Sequence, residues 1–176
     1  VESNGKPVGD QVLKPGWTPY AHRLVHETTD ITTLLAPGRN AIGVALAGGW
    51  YTESFGFQGL ARPFYGTQPS FAGQVLLEYS NGSSEWVCSD GDWSASGEGP
   101  WTSAGIYAGE SFDARQVQDG WASPGFRSGS WVGAQLCPSG PVPTPRTGPE
   151  GRVTQTVPAA EVTTSPSGST LVDFGQ

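Results

Sequence analysis

The segment QVLLEYSNGSSEWVC, residues 74–88, most constrains what this chain can fold into. Two apolar runs, Gln74–Tyr79 and Glu85–Cys88, flank an Asn81-Gly82 pair. Asn-Gly between alternating apolar runs is a strong signal for a β-hairpin, because both residues tolerate a positive φ. The Asn-Gly-Ser triplet also fits a glycosylation acceptor, but the hairpin is the stronger interpretation. The segment therefore predicts two antiparallel strands joined by a tight turn.

Strand-like windows of this kind recur along the chain, with turn-forming residues between them. The sequence contains 26 Gly and 15 Pro in 176 residues, and few windows have helical periodicity. Many short strands with frequent turn signals are typical of antiparallel sandwiches. We therefore predict an all-β fold, an antiparallel β-sandwich. Beyond the hairpin, the predicted strands are Arg23–Thr28, Ala41–Ala47, Ile106–Arg115 and Gly129–Leu136.

Charge and hydropathy exclude two classes of partner. The net charge is −7 and the nine Lys and Arg residues are scattered, so no basic face for nucleic acid is predicted. No apolar run approaches the length that crosses a membrane, so no membrane partner is predicted either. Cys88 and Cys137 fit one disulfide of an exported protein or two separate buried thiols. Secretion and a cytoplasmic location therefore both stay open.

One short helical turn is predicted where Asp30 precedes TTLL. An Asp at this position can cap the turn, and Pro37 and Gly38 then end it before the next strand. The pattern TTDITTLLAPGRN resembles a signature of galactose-binding-like jelly rolls, which accompany many glycoside hydrolases. This resemblance implies a jelly-roll form of the predicted sandwich. It indicates a fold and not an activity.

Three further motifs occur in order between Asn4 and Trp121: NGKPVGD with PGWTPY, then GGWYTESFGFQG, then AGESFDAR before GW. Together they resemble the N-terminal β-sandwich region of bacterial-type α-L-rhamnosidases of glycoside hydrolase family 78. The resemblance implies a jelly-roll module over residues 1–140. It also implies that residues 141–176 form a linker and the opening strand or strands of a following β-sandwich domain.

No catalytic residue is assigned to this chain. Inverting glycoside hydrolysis needs two carboxylates roughly 6.5–9.5 Å apart, and no spacing singles out a pair among Glu53, Glu110 and Asp113. In the family it resembles, the catalytic carboxylates lie on a C-terminal (α/α)6 barrel. The resemblance therefore implies an α-L-rhamnosidase whose remaining domains are partners of this module.

The family's rhamnose-binding members, carbohydrate-binding module family 67, imply a calcium ion that the sugar's hydroxyls help to coordinate. The matching positions here are Asp10, Gln11, Gln58 and Pro63, with Gln in place of Asn at two of them. Carboxylate, amide and carbonyl oxygens are ligands that Ca²⁺ prefers, and its coordination geometry is flexible. These four residues are the predicted metal set, and Asp10, Gln11 and Gln58 are also predicted ligand-binding residues.

Six aromatic residues between Trp50 and Tyr65 could contact a sugar or fill the core of the sandwich. We predict that Trp50 or Tyr51 is exposed at the ligand site. His22 and His26 lie too far apart on one strand to share an ion. The sequence thus predicts a non-catalytic module that binds terminal L-rhamnose on a glycan. The alternatives are a purely architectural domain and the jelly roll of a β-galactosidase-like enzyme.

Overall fold

The computed structural model describes residues 1–57, 59–127, 129–138 and 140–175. Within these ranges the only helices are two single 3-10 turns, Thr32–Leu34 and Ala114–Gln116, and this confirms the predicted all-β class. The strands are β1 Glu2–Ser3, β2 Lys6–Pro7, β3 Gln11–Val12, β4 Val25–His26, β5 Ile42–Gly43, β6 Ser54–Phe55, β7 Arg62–Pro63, β8 Gln74–Glu78, β9 Ser84–Cys88, β10 Ser94–Ala95, β11 Trp101–Gly105, β12 Gly109–Phe112, β13 Val132–Gly133, β14 Thr144–Pro145, β15 Gly151–Arg152, β16 Glu161–Thr164 and β17 Thr170–Asp173.

The hairpin predicted from QVLLEYSNGSSEWVC is confirmed as β8 paired antiparallel with β9. The backbone N–H of Gly82 donates to the carbonyl of Tyr79 at 2.9 Å, and Gly82 has a φ of +84°. The amide oxygen of Asn81 accepts from the Ser83 N–H at 2.9 Å. Asn81 thus supports the turn through its side-chain hydrogen bond, and Gly82 supplies the residue with a positive φ.

Other predicted strands are present but shorter than the apolar runs suggested. The run Ala41–Ala47 pairs only over β5, and Ala45 and Ala47 are exposed. The predicted strand Ile106–Arg115 is wrong at both ends. Its first residues form the turn of the β11–β12 hairpin, which closes at Gly109 with a φ of +73°. Its last residues form a 3-10 turn, capped where the Asp113 carboxylate accepts from the Arg115 N–H at 3.0 Å.

A densely packed region lies beside the three-stranded sheet, whose strand order is β2-β1-β5. Ser3 and Ala122 are buried there, and Gly43 has no room for a side chain. A Cβ on Gly43 would lie 2.5 Å from a ring carbon of Trp121 and 2.6 Å from the Cβ of Ala122. Glycine at this position therefore allows the sheet and the Trp121 turn to approach closely.

The predicted short helical turn is present, but its N-cap residue is Ile31 and not Asp30, which lies one position earlier. One Asp30 carboxylate oxygen accepts from the Thr32 N–H at 2.8 Å and from the Thr32 hydroxyl at 2.6 Å. Asn4 ties this region to the sheet, because its Nδ2 donates to the Leu34 carbonyl at 2.9 Å. Its Oδ1 accepts from the Ala41 N–H at 2.8 Å. The hydrogen bond to Asp30 at its start and the one from Asn4 at its end thus hold the TTLL turn in place.

The chain divides into two compact units, described separately below. The larger unit comprises residues 1–9 and 15–148, and the smaller comprises residues 10–14 and 149–176. The smaller unit contains the β3–β15 pair and the β16–β17 hairpin. The sequence-based boundary near residue 140 stays a prediction.

Two observations concern the environment of the chain. Cys88 and Cys137 are unpaired and both exposed, so neither the disulfide nor the burial considered from the sequence is present. Within the described ranges, no helix has the length and apolar character needed to span a membrane.

Candidate functional site

Five aromatic side chains of the larger unit line a groove of about 570 Å³, which we call the aromatic groove. Trp17 and Phe64 are the most exposed, at 57% and 60%. The rings of Trp50 and Phe55 are nearly parallel, with centroids 6.2 Å apart and an interplanar angle of 5°. The groove therefore presents flat apolar faces to solvent. Its lining residues are Trp17, Trp50, Phe55, Phe64 and Tyr65.

Trp17 is positioned by hydrogen bonds on both sides of it in the sequence. Gly16 precedes it with a φ of +95°, and the Gly16 carbonyl accepts from the Tyr20 hydroxyl at 3.0 Å. Thr18 follows it and is buried, and its hydroxyl donates to the Arg23 carbonyl at 2.6 Å. The backbone is thus fixed while the Trp17 ring stays exposed.

A backbone turn and one carboxylate fix the position of Trp50. The N–H groups of Thr52 and Glu53 both donate to the Gly49 carbonyl, at 3.2 and 3.0 Å. The Glu53 carboxylate accepts from the Tyr107 N–H at 3.1 Å and from the adjacent Ser54 N–H at 3.0 Å. These N–H groups, Tyr107 first, lower the pKa of the Glu53 carboxyl. The Tyr107 ring meets Trp50 edge-on, with centroids 6.4 Å apart.

The β6–β7 pair presents two more rings of the groove. Phe55 is opposite Arg62 in the antiparallel register, and Phe64 follows the end of β7. The Arg62 guanidinium carbon lies 5.1 Å from the centroid of the Phe64 ring. A cation over an aromatic face is attracted to it, and here it holds the exposed ring in place.

Of the two aromatic residues predicted at the ligand site, Trp50 and Tyr51, only Trp50 lines the groove. Trp50 is half-buried and lines the groove. Tyr51 does not line it: its ring contacts Tyr20 edge-on at 5.3 Å and covers Gly66, where a Cβ would lie 2.3 Å from it. Sequence reasoning assigned Trp17 no role in the site, although the Pro-Gly turn before it was a signal for an exposed loop.

The Asp10–Gln11 pair belongs to the smaller unit, at the β3–β15 pairing where Gln11 is opposite Arg152. The Asp10 carboxylate is 68% exposed and forms an ion pair with the Arg152 guanidinium. Arg152 also binds the Glu150 carboxylate at 2.6 Å. The Gln11 amide oxygen accepts from the Lys14 ammonium at 3.2 Å. Both predicted ligand oxygens of this loop therefore contact a cationic side chain.

These contacts bear on whether the predicted set fits calcium. The donors are oxygens of the right kind, but an ion would have to displace Arg152 and Lys14 from them. An exposed ion pair contributes only about 0.2–1 kcal/mol, so this competition would lower the affinity of the predicted set for calcium by a similar amount. Pro63 belongs to the larger unit and Gln58 lies outside the described residues, so the four-residue set stays a prediction.

The acidic residues considered for catalysis have structural partners. The side chain of Arg115 holds the pKa of the Asp113 carboxyl down at about 2, and the Glu110 carboxylate accepts from the Trp101 indole N–H at 3.2 Å. His22 and His26 are both exposed. In the part of the chain that the structure describes, no group of three or more His, Cys, Asp or Glu side chains could hold a metal ion.

The fold and the groove define a class: an all-β domain with an exposed aromatic groove. The chain belongs to the family described as "Alpha-L-rhamnosidase N-terminal domain", whose sequence profile matches residues 1–161. It is 38% identical over 98% of its length to an α-L-rhamnosidase of Streptomyces avermitilis. It is 34% identical over 74% of its length to one from Alteromonas sp.. The chain spans only 17% and 14% of those two proteins.

Solved structures agree with this family. The crystal structure of Streptomyces avermitilis α-L-rhamnosidase complexed with L-rhamnose matches 99% of this chain, with a TM-score of 0.86 and 34% identity. That of the native enzyme from Aspergillus terreus matches 99%, with a TM-score of 0.84 and 34% identity. The chain covers 17% and 20% of those structures. The predicted β-sandwich class and the predicted relation to α-L-rhamnosidases are both confirmed.

Proposed function

We propose that this domain is a non-catalytic carbohydrate-binding module of an α-L-rhamnosidase and that it binds terminal L-rhamnose in the aromatic groove. The parent enzyme would hydrolyse α-L-rhamnosides with inversion, using carboxylates elsewhere in its chain. The observation that carries the proposal is the groove itself, five rings around about 570 Å³ on the larger unit. That volume is within the roughly 300–1,000 Å³ of ordinary small-molecule sites.

The chemistry of the groove suits a 6-deoxy sugar. Aromatic faces pack against the apolar C–H face of a pyranose, and the C6 methyl of rhamnose offers a further apolar group. Burying one such carbon contributes about 0.8 kcal/mol, so L-rhamnose should bind roughly fourfold more tightly than L-mannose, its 6-hydroxy counterpart. A groove with polar walls would offer no such preference.

Calcium is a separate part of the proposal. Bound by Asp10 and Gln11, the ion would supply a positive charge for vicinal hydroxyls. Because Arg152 and Lys14 already contact these two residues, we infer a weak contribution. Rhamnose binding in the groove does not depend on it.

Isothermal titration calorimetry of the domain with L-rhamnose, with and without a chelator, tests both parts. We expect binding in both conditions, with L-mannose weaker. A large loss on chelation would show that calcium dominates, and Asp10→Ala should then produce the same loss. Unchanged binding with chelator and with Asp10→Ala would remove calcium from the proposal and leave the groove. No heat with L-rhamnose under any condition would overturn the groove as well.

One observation favours the architectural alternative. The cross-strand partners Leu76 and Trp86 of the β8–β9 hairpin are 42% and 56% exposed, and together they offer an apolar face. Such a face is suited to contact with another domain of the parent enzyme. This architectural alternative predicts no heat on titration with L-rhamnose. The other alternative, a β-galactosidase-like domain, is disfavoured because the chain belongs to the rhamnosidase family.

A further inference from the structure

A second cavity, of about 310 Å³, lies in the larger unit between the β11–β12 hairpin and the segment that follows β5. We call it the hairpin pocket. It combines one indole ring, one carboxylate and several small residues that leave backbone accessible. Its lining residues are Ala45, Leu46, Ala47, Gly48, Trp101, Ala104 and Glu110.

The indole of the hairpin pocket is held in a fixed orientation. Its Nε1–H donates to one oxygen of the Glu110 carboxylate at 3.2 Å, and the Phe112 ring meets it edge-on with centroids 5.2 Å apart. Trp101 nevertheless stays 53% exposed. A flat apolar surface therefore lies beside an exposed carboxylate, which can accept hydrogen bonds from hydroxyl groups.

The opposite wall is backbone that belongs to no sheet in the described part of the chain. The apolar run after β5 leaves the strand at Gly43, and residues 45–47 are exposed without a partner strand. Their N–H and C=O groups can bond a ligand's hydroxyls. An aromatic face with several hydrogen-bonding groups around it is what a neutral sugar ring requires.

The hairpin pocket is next to the aromatic groove. Gly48 lines the pocket and Trp50 lines the groove, and two residues of chain span at most about 7 Å. The turn of the same β11–β12 hairpin carries Tyr107, whose ring meets Trp50 and Phe55 edge-on at 6.4 and 6.2 Å. One hairpin thus borders both cavities, and a ligand larger than one sugar would extend from one to the other.

We propose that the hairpin pocket is a second saccharide subsite, which takes the neutral sugar next to the terminal rhamnose. This inference rests on the proposed function and names its ligand class, a neutral rhamnosyl oligosaccharide. The Glu110 carboxylate disfavours a uronic acid at this position, because two carboxylates close together repel each other.

The test is calorimetry of the domain with L-rhamnose and with a neutral rhamnosyl disaccharide, for wild type and two variants. We expect the disaccharide to bind about fivefold more tightly than the monosaccharide. Trp101→Ala should remove this advantage and leave the monosaccharide affinity unchanged. Glu110→Gln should reduce the advantage in part, since the amide still accepts from the indole N–H. Trp86→Ala, at an exposed Trp on β9, is the matched control and should change neither affinity.

Three results would overturn the subsite: equal affinity of wild type for the two sugars, an advantage that survives Trp101→Ala, or the same loss with Trp86→Ala. If L-rhamnose binds and Trp50→Ala abolishes it while Trp101→Ala has no effect, the subsite is wrong and the proposed function stands. If wild type binds neither sugar, both are wrong. Because Glu110→Gln changes few atoms, it provides the answer if Trp101→Ala fails to fold.

Discussion

The aromatic groove and the Asp10–Gln11 loop are two regions that a carbohydrate-binding module could use. They differ in chemistry, because the groove is apolar and the loop is charged. The groove is made of rings that hold one another, such as Trp50 stacked on Phe55 with centroids 6.2 Å apart. The loop is made of charges that satisfy one another at an exposed surface, with Arg152 between Asp10 and Glu150.

This difference matters because the two regions gain different amounts of free energy when a ligand displaces water from them. Flat apolar faces gain free energy when a ligand displaces water from them. The exposed Asp10 carboxylate gains little free energy from a new partner, because it already interacts with water and with Arg152. We therefore assign the larger share of sugar affinity to the groove, and the following variants are ordered by the size of the effect they should have.

The largest effect should come from Trp50→Ala, which removes the ring that contacts both Phe55 and Tyr107. We expect L-rhamnose affinity to fall at least about tenfold, or ~1.4 kcal/mol. Calorimetry measures it, with Trp86→Ala as a control whose affinity should equal that of wild type. A loss no greater than that of the control would show that L-rhamnose does not bind in the groove.

The next effect is on stability and is confined to the larger unit. Gly43→Ala should lower the free energy of unfolding by about 1–3 kcal/mol, because its Cβ would overlap Trp121 and Ala122. At roughly 2–4 °C per kcal/mol, thermal denaturation should show an earlier midpoint. Gly97→Ala, where a Cβ meets nothing within 4 Å, should leave the midpoint in place. Equal midpoints for the two variants would show that this region is not densely packed.

A smaller effect should come from Arg152→Gln, which frees the Asp10 carboxylate. Because an exposed pair is worth about 0.2–1 kcal/mol, calcium affinity should rise roughly 1.4- to fivefold. Titration with calcium alone measures this, and Arg39→Gln removes the same charge from the larger unit as a control. Calcium binding that is absent from wild type and variant alike would show that the predicted metal set is wrong.

The smallest effect should be a pH dependence of the groove. Hydrogen bonds from N–H groups lower the pKa of Glu53 below its ordinary 4.5, so its carboxylate contributes stability above that pH. That contribution is lost as the pH falls through the lower, folded value. L-rhamnose affinity should be constant from about pH 7 to pH 5 and weaken only below the ordinary pKa of 4.5, as the Glu53 carboxylate becomes protonated. Glu53→Gln should abolish this dependence, and a variant that keeps the full decline would exclude Glu53 as its origin.

Local signals in the sequence predicted the local structures. Asn81-Gly82 predicted the β8–β9 hairpin, and Asp30 predicted the short helical turn that begins at Thr32, because each depends on residues a few positions apart. The length of the strand after Ala41 was predicted wrongly, since an apolar run does not show where its partner strand ends. The run pairs only over β5.

The groove could be predicted only in part for the same reason. Trp50 was among the predicted residues, but Trp17 reaches the groove from another part of the chain. Nothing local to Trp17 indicates which rings it meets. The Arg152 partner of Asp10 was likewise hidden, because 142 positions separate the two residues and the β3–β15 pairing brings them together.

The most direct test of rhamnose binding in the aromatic groove is to follow the seven tryptophan indole N–H signals by NMR while L-rhamnose is added in the presence of a chelator. We expect the signals of Trp17 and Trp50 to shift with saturation, while that of Trp86 stays in place. Signals that all remain unchanged, or a shift confined to tryptophans outside the groove, would contradict rhamnose binding in the groove.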